Sequence, residues 1–123
     1  MKTLFRWMIL PLVALGVAGC DYDNDNDDDY EPPAGRGALL VDNNTSDEIR
    51  VYVDGEQRGR VDDYSDRPFD LEPGVHRVVL DQVNGDRNFR DDVDIIEGRL
   101  TVLDVQTDFD FGDDDYDVEI FFD

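Results

Sequence analysis

A single cysteine and a single histidine in 123 residues leave little for several kinds of chemistry. One thiol cannot close an intrachain disulfide or furnish the clustered sulfurs of a zinc site. One imidazole, with Ser46 and Ser65 as the only serines and neither in a Gly-x-Ser-x-Gly elbow, gives no nucleophile–base–acid set. Positive charge is scarce too. Eleven Lys+Arg face 32 Asp+Glu, for a formal net charge of −21. A chain so acidic has no basic face with which to displace counterions from phosphates, so nucleic acid is excluded as a partner. There is no Gly-rich phosphate loop. No apolar run reaches the roughly 20 residues that span a bilayer as a helix. The length allows one domain.

The apolar sequence at the start is short and flanked in a particular way. Lys2 and Arg6 precede Trp7–Gly19, an uncharged run of 13 residues that contains Pro11. A basic start, a short apolar stretch and small residues at its end fit a secretory signal rather than a spanning helix. Val17-Ala18-Gly19-Cys20 resembles the bacterial lipobox. The resemblance implies cleavage between Gly19 and Cys20, with the Cys20 thiol carrying a diacylglyceryl group at the new N-terminus. Two or three acyl chains, at about 0.8 kcal/mol per buried CH₂, hold far more firmly than one. Asp21, next to that cysteine, resembles a signal for retention at the inner membrane. The expected location is the bacterial cell envelope, lipid-anchored and facing the periplasm or the exterior.

Residues 20–36 read as the lipidated cysteine and an acidic tether. Asp21, Asp23, Asp25, Asp27, Asp28, Asp29 and Glu31 carry no compensating base, and Pro32-Pro33-Ala34-Gly35 follow them. Such a segment cannot bury apolar surface and its charges repel, which predicts disorder. It does not form an EF-hand loop. From Asp21, Asn26 stands where glycine is needed and Pro32 at the twelfth position; from Asp23, those places hold Asp28 and Ala34.

The remainder, 37–123, predicts an all-β domain: short apolar or alternating runs, separated by Gly, Asn and Asp clusters at intervals of about 8–12 residues. The strands are expected at Ala38–Val41, Ile49–Val53, Gln57–Val61, Pro68–Leu71, Val75–Val83, Phe89–Ile96, Leu100–Gln106 (or on through Phe109 and Phe111) and Tyr116–Phe122. Asp54-Gly55 predicts a two-residue hairpin turn with positive φ at both positions, and Asn84-Gly85 another. Glu72-Pro73-Gly74 predicts a type II turn. In the last run Tyr116, Val118, Ile120 and Phe122 share a face. Seven or eight such strands form an antiparallel, Ig-like β-sandwich.

The order of strands and turns also resembles the PEGA-type domain. Val51-Tyr52-Val53-Asp54-Gly55, Gly59, then Leu71-Glu72-Pro73-Gly74-Val75-His76-Arg77-Val78 and Ile96-Glu97-Gly98-Arg99-Leu100-Thr101-Val102 carry the likeness over roughly 38–105. Arg60-Val61 stands where that family usually has Thr-Pro. The resemblance implies a small non-catalytic β module of surface and envelope proteins and brings no catalytic residues.

No constellation requires a cofactor or supports an enzyme. His76 reads as a strand histidine. Asn43-Asn44-Thr45 and Asn44-Thr45-Ser46 match the glycosylation pattern, which carries little meaning beside a bacterial lipobox. Acids crowd the C-terminal turn, where Asp110, Asp113, Asp114 and Asp115 could gather oxygens around Ca²⁺. The competing reading is solvation, in a halophile-like composition in which Lys2 is the only lysine. The expected function is thus a membrane-anchored, non-catalytic envelope lipoprotein acting as a binding or structural module, its partner an envelope protein or polysaccharide. Phe69, Tyr64 and Phe109–Phe111 are the candidate contact aromatics. A Ca²⁺-dependent binding or adhesion module is the alternative, and a hydrolase with an unrecognised acid pair ranks after both.

Overall fold

Turn residues punctuate residues 37–107 so often that no helical period is sustained there, and the short β-branched runs need partners to satisfy their backbones. The computed structural model describes residues 29–107 and 115–123. Within them the chain forms eight strands: β1 (Gly37–Asn43), β2 (Ile49–Val53), β3 (Glu56–Val61), β4 (Asp66–Leu71), β5 (Gly74–Gln82), β6 (Asn88–Ile95), β7 (Leu100–Thr107) and β8 (Tyr116–Phe122). They build two four-stranded sheets, ordered β4-β1-β7-β8 and β3-β2-β5-β6. The sandwich is as the alternation predicts.

Its core lies between the sheets. The first sheet contributes Leu39, Val41, Phe69, Leu71, Leu103, Val105 and Tyr116. The second contributes Ile49, Val51, Val53, Val61, Val78, Leu80, Val93 and Ile95. Removing each such aliphatic side chain from water contributes about 1.5–3 kcal/mol, which offsets the entropy of ordering so short a chain. Ile49, Val51 and Val53 face inward together, as their alternation requires.

One strand pair departs from the antiparallel expectation. β1 runs parallel to β7, with Leu40 opposite Val102, while its other neighbour β4 is antiparallel. Parallel neighbours need a long crossover, and here β2 through β6 supply it. β1 and β7 are therefore central and buried on both faces. On the outer face Ala38, Leu40, Leu100 and Val102 form a second apolar cluster against which Tyr30 packs. The Tyr30 hydroxyl donates to Asp70 Oδ1 at 2.6 Å. Residues 29–36, read from sequence as the end of a disordered tether, thus include a side chain docked on the sheet.

Two turns differ from expectation. Asp54 and Gly55 do adopt φ of 53° and 86°. Gly85 does not take a positive φ: the Asn84-Gly85 pair lies within a longer loop, residues 83–87, whose Gln82 Oε1 accepts from Arg87 N at 3.1 Å. A Cβ on Gly85 would meet the Gln82 side-chain amide, whose flexible end would have to shift to admit it. The Glu72-Pro73-Gly74 segment, expected as a type II turn, is a bend. It carries the chain from β4 in one sheet to β5 in the other, with Gly74 at φ 133°. A further irregularity is a bulge in β3. Val51 pairs with Gly59 but Tyr52 with Gln57, leaving Arg58 unmatched.

Candidate functional site

One cluster of titratable side chains among the described residues collects at the pole where β1 begins. The β2–β3 turn and the β4–β5 bend meet there beside the first residues of β5. They surround a cavity of about 400 Å³, lined by Arg36, Val53, Asp54, Glu56, Arg58, Leu71, Glu72 and His76. His76 lines it with both ring nitrogens engaged. Its Nδ1 lies 2.6 Å from Asp54 Oδ2 and its Nε2 2.7 Å from the Glu72 carbonyl. A carboxylate and a carbonyl can only accept, so the geometry suits the protonated ring, which donates from both nitrogens. Asp54 Oδ1 accepts a third bond, from the Arg77 amide at 3.0 Å.

The electrostatics follow from this geometry. Burial works against the charged imidazole, but the hydrogen bonds to Glu72 and Asp54 outweigh it and lift His76 above its usual 6.5. The hydrogen bond from His76, then that from the Arg77 amide, hold Asp54 below its usual 3.8. While both nitrogens are engaged as donors, His76 has no free lone pair to act as a general base. The unit is a clasp between a hairpin turn and a strand.

The clasp has a pH signature. His76 binds its proton more tightly when folded, so its contribution is complete below about pH 6.5 and lost as pH rises through the raised folded value. Asp54 behaves oppositely: its contribution is present above about pH 3.8 and lost as pH falls through the depressed value. The melting temperature is expected to fall on the alkaline side of this window. Comparing melts across that limb with those of His76→Gln checks the cause, since the variant should lose the decline attributable to the imidazole.

The opposite pole is held by a second network that the sequence reading missed. Asn43 is fully buried at the end of β1. Its amide donates to the carbonyls of Asp47 at 2.8 Å and Asp62 at 3.0 Å. Its Oδ1 accepts from both the amide and the hydroxyl of Thr45, at 3.1 and 2.7 Å. Nearby, Asp47 Oδ2 accepts from the Tyr116 hydroxyl at 3.1 Å and pairs with Arg87 Nη1 at 3.2 Å. Burial, then the Asp47 carboxylate, push the Tyr116 phenol well above its usual range. Paired polar atoms on β1 and in two loops were the only available signal, and their partners lie far apart in sequence.

The other residues singled out from sequence are distributed as follows. Gly19, Cys20, Asp110, Asp113, Asp114, Phe109 and Phe111 lie outside the described residues. Asp115 is exposed at the start of the last strand. Among the described residues no three His, Cys, Asp or Glu side chains gather as a metal site. Phe69 is in the core with the Arg67 guanidinium 4.9 Å above its ring, whereas Tyr64 is 70% exposed. Ser46 and Ser65 are exposed in loops at the Asn43 pole. The Asn43 amide is consumed by its buried bonds, and Asn44 donates to Asp104 Oδ1 at 2.7 Å. Among the described residues no helix is long and apolar enough to cross a membrane. No family model and no curated protein matches the chain.

Proposed function

We propose that this chain is a lipid-anchored envelope lipoprotein whose β-sandwich serves as a non-catalytic binding or structural module. The observation that carries the reading is Val17-Ala18-Gly19-Cys20, placed directly after a basic start and a short uncharged run. The clasp supports the non-catalytic half, because the one histidine is spent on holding a turn. The Val51–Gly55 hairpin supports a PEGA-like module. Tyr30 docks on the outer face of the sheet, so the reach between Cys20 and the domain is at most about 35 Å. On this reading the clasp pole and the entry of the chain lie close to the lipid surface. The loops around Asn43 point away from it, toward whatever the module meets.

Mass spectrometry of the protein extracted from its native membrane tests the anchor. A mature chain beginning at Cys20 and carrying a diacylglyceryl adduct is the expected result. The Cys20→Ser chain should leave the membrane fraction entirely. An unmodified thiol in a freely soluble native chain would end this reading.

A further inference from the structure

Four strands close the two sheets, β4 and β8 in one, β3 and β6 in the other. A bare edge invites another strand, and proteins protect edges with proline, bulges and charge. β4 carries Pro68. β3 is bulged at Arg58, and its Arg60 carbonyl is occupied by Arg67 Nη1 at 3.0 Å. β6 exposes Arg90, Asp91, Asp92 and Asp94. β8 has no proline and no bulge, and three consecutive apolar residues are open on it: Ile120, Phe121 and Phe122, at 38%, 47% and 46% exposure.

The backbone of β8 is set for pairing. Asp123 and Leu100 exchange both backbone hydrogen bonds, at 2.9 and 3.4 Å. Alternation along an antiparallel pair then commits Phe121, Glu119 and Asp117 to β7. The N–H and C=O groups of Phe122, Ile120 and Val118 point the other way, and among the described residues no strand pairs with that side. The side chains sort by face as well. Val118, Ile120 and Phe122 lie on the core side, opposite Val105, Leu103 and Thr101. Asp117 and Glu119 lie on the outer side with Phe121, and exposed Asp123 follows them.

We infer that β8 is a docking edge for an extended segment that alternates apolar and basic residues and joins the sheet as an added strand. Its apolar side chains continue the core-side row of Val118, Ile120 and Phe122. Its basic side chains face Asp117, Glu119 and Asp123, in a chain of net charge −21. A second copy fits this edge poorly. With Ile120 opposite Ile120, Asp117 meets Asp123 twice; shifted to put Phe122 opposite Tyr116, Glu119 meets Glu119. Like charges directly opposite oppose pairing. The inference deepens the binding-module reading by naming the chemistry of the partner, and it does not depend on the lipid, since a chain unmodified at Cys20 presents the same edge.

The test titrates the full chain, purified as expressed, with a synthetic peptide alternating valine and arginine, and with its valine–glutamate counterpart. Saturable binding of the arginine peptide alone is expected, weakening about tenfold as salt is raised. Ile120→Pro should abolish it, because the amide it removes points away from β7 and β8 stays paired. Ile120→Lys should abolish it too, and, since Ile120 is partly exposed and its amide is retained, this variant should stay folded and carries the test if the proline variant unfolds. Absence of saturation, equal binding of both peptides, or binding indifferent to the lysine variant would overturn the inference. So would a concentration-dependent dimer that Ile120→Lys dissolves, which would give the edge to a second copy.

Discussion

Asn43→Ala is expected to destabilise the domain by about 3 kcal/mol, since leaving a buried polar group unsatisfied costs about 1–3 kcal/mol and several are orphaned here. The Asp47 and Asp62 carbonyls lose a donor, and the Thr45 amide and hydroxyl lose an acceptor. No water-filled space opens in compensation, because Asn43 and Thr45 are almost wholly buried, at 0% and 2% exposure. At about 4–8 °C per kcal/mol for a domain of this size, the midpoint of thermal melting should fall by about 10–25 °C. The loss should be felt at a distance, since one side chain joins the β1–β2 and β3–β4 loops. A midpoint within experimental error of the parent would mean that the two loops hold themselves.

Leu80→Ala is expected to cost as much or more. Leu80 is fully buried on the central strand β5, opposite Val51 on one side and Phe89 on the other. Truncating a leucine at such a place costs about 2–5 kcal/mol, because the transfer free energy is lost and the cavity only partly collapses. Domains of this kind have about 5–15 kcal/mol in total, so the variant should lose a large fraction of its stability. Val75→Ala on the same strand is the internal comparison. Val75 is 66% exposed, and its truncation should shift stability by less than about 0.5 kcal/mol. Urea titration of the pair measures the contrast directly, and similar midpoints would contradict the assignment of β5 faces.

What could be read in advance was local. Alternation in Ile49–Val53 and Tyr116–Phe122 placed side chains on the correct faces, because a strand has a period of two whatever its neighbours do. Asp54-Gly55 was legible for the same reason: the strain of positive φ is settled within the dipeptide. Asn84-Gly85 shows the limit. An Asn-Gly pair is compatible with more than one loop, and the Gln82 side chain, packed against Gly85, belongs to the longer one. Partner choice between sheets was not legible at all. Nothing in Gly37–Asn43 says that its parallel neighbour begins at Leu100, since either face of β1 is apolar and the pairing is decided by everything between. The same holds for the clasp. His76 and Asp54 were each visible, but their meeting depends on β2 lying beside β5. Tyr30 sat in a stretch whose charge argues for disorder, and one phenol finding Asp70 reversed that expectation for its own surroundings.

The adjacency of Asp29, Tyr30 and Glu31 to Asp123 and Leu100 has a practical consequence for anyone handling this molecule. Entry and exit of the described chain share one seam, so a reporter spliced behind Asp123 would crowd both the free strand and the incoming segment. A label placed at Asn84 or Ser46, on the far loops, would leave that seam open and report from the side turned away from it. Circular permutation is equally well served: a short linker could join the two ends, with new ones cut in residues 83–87.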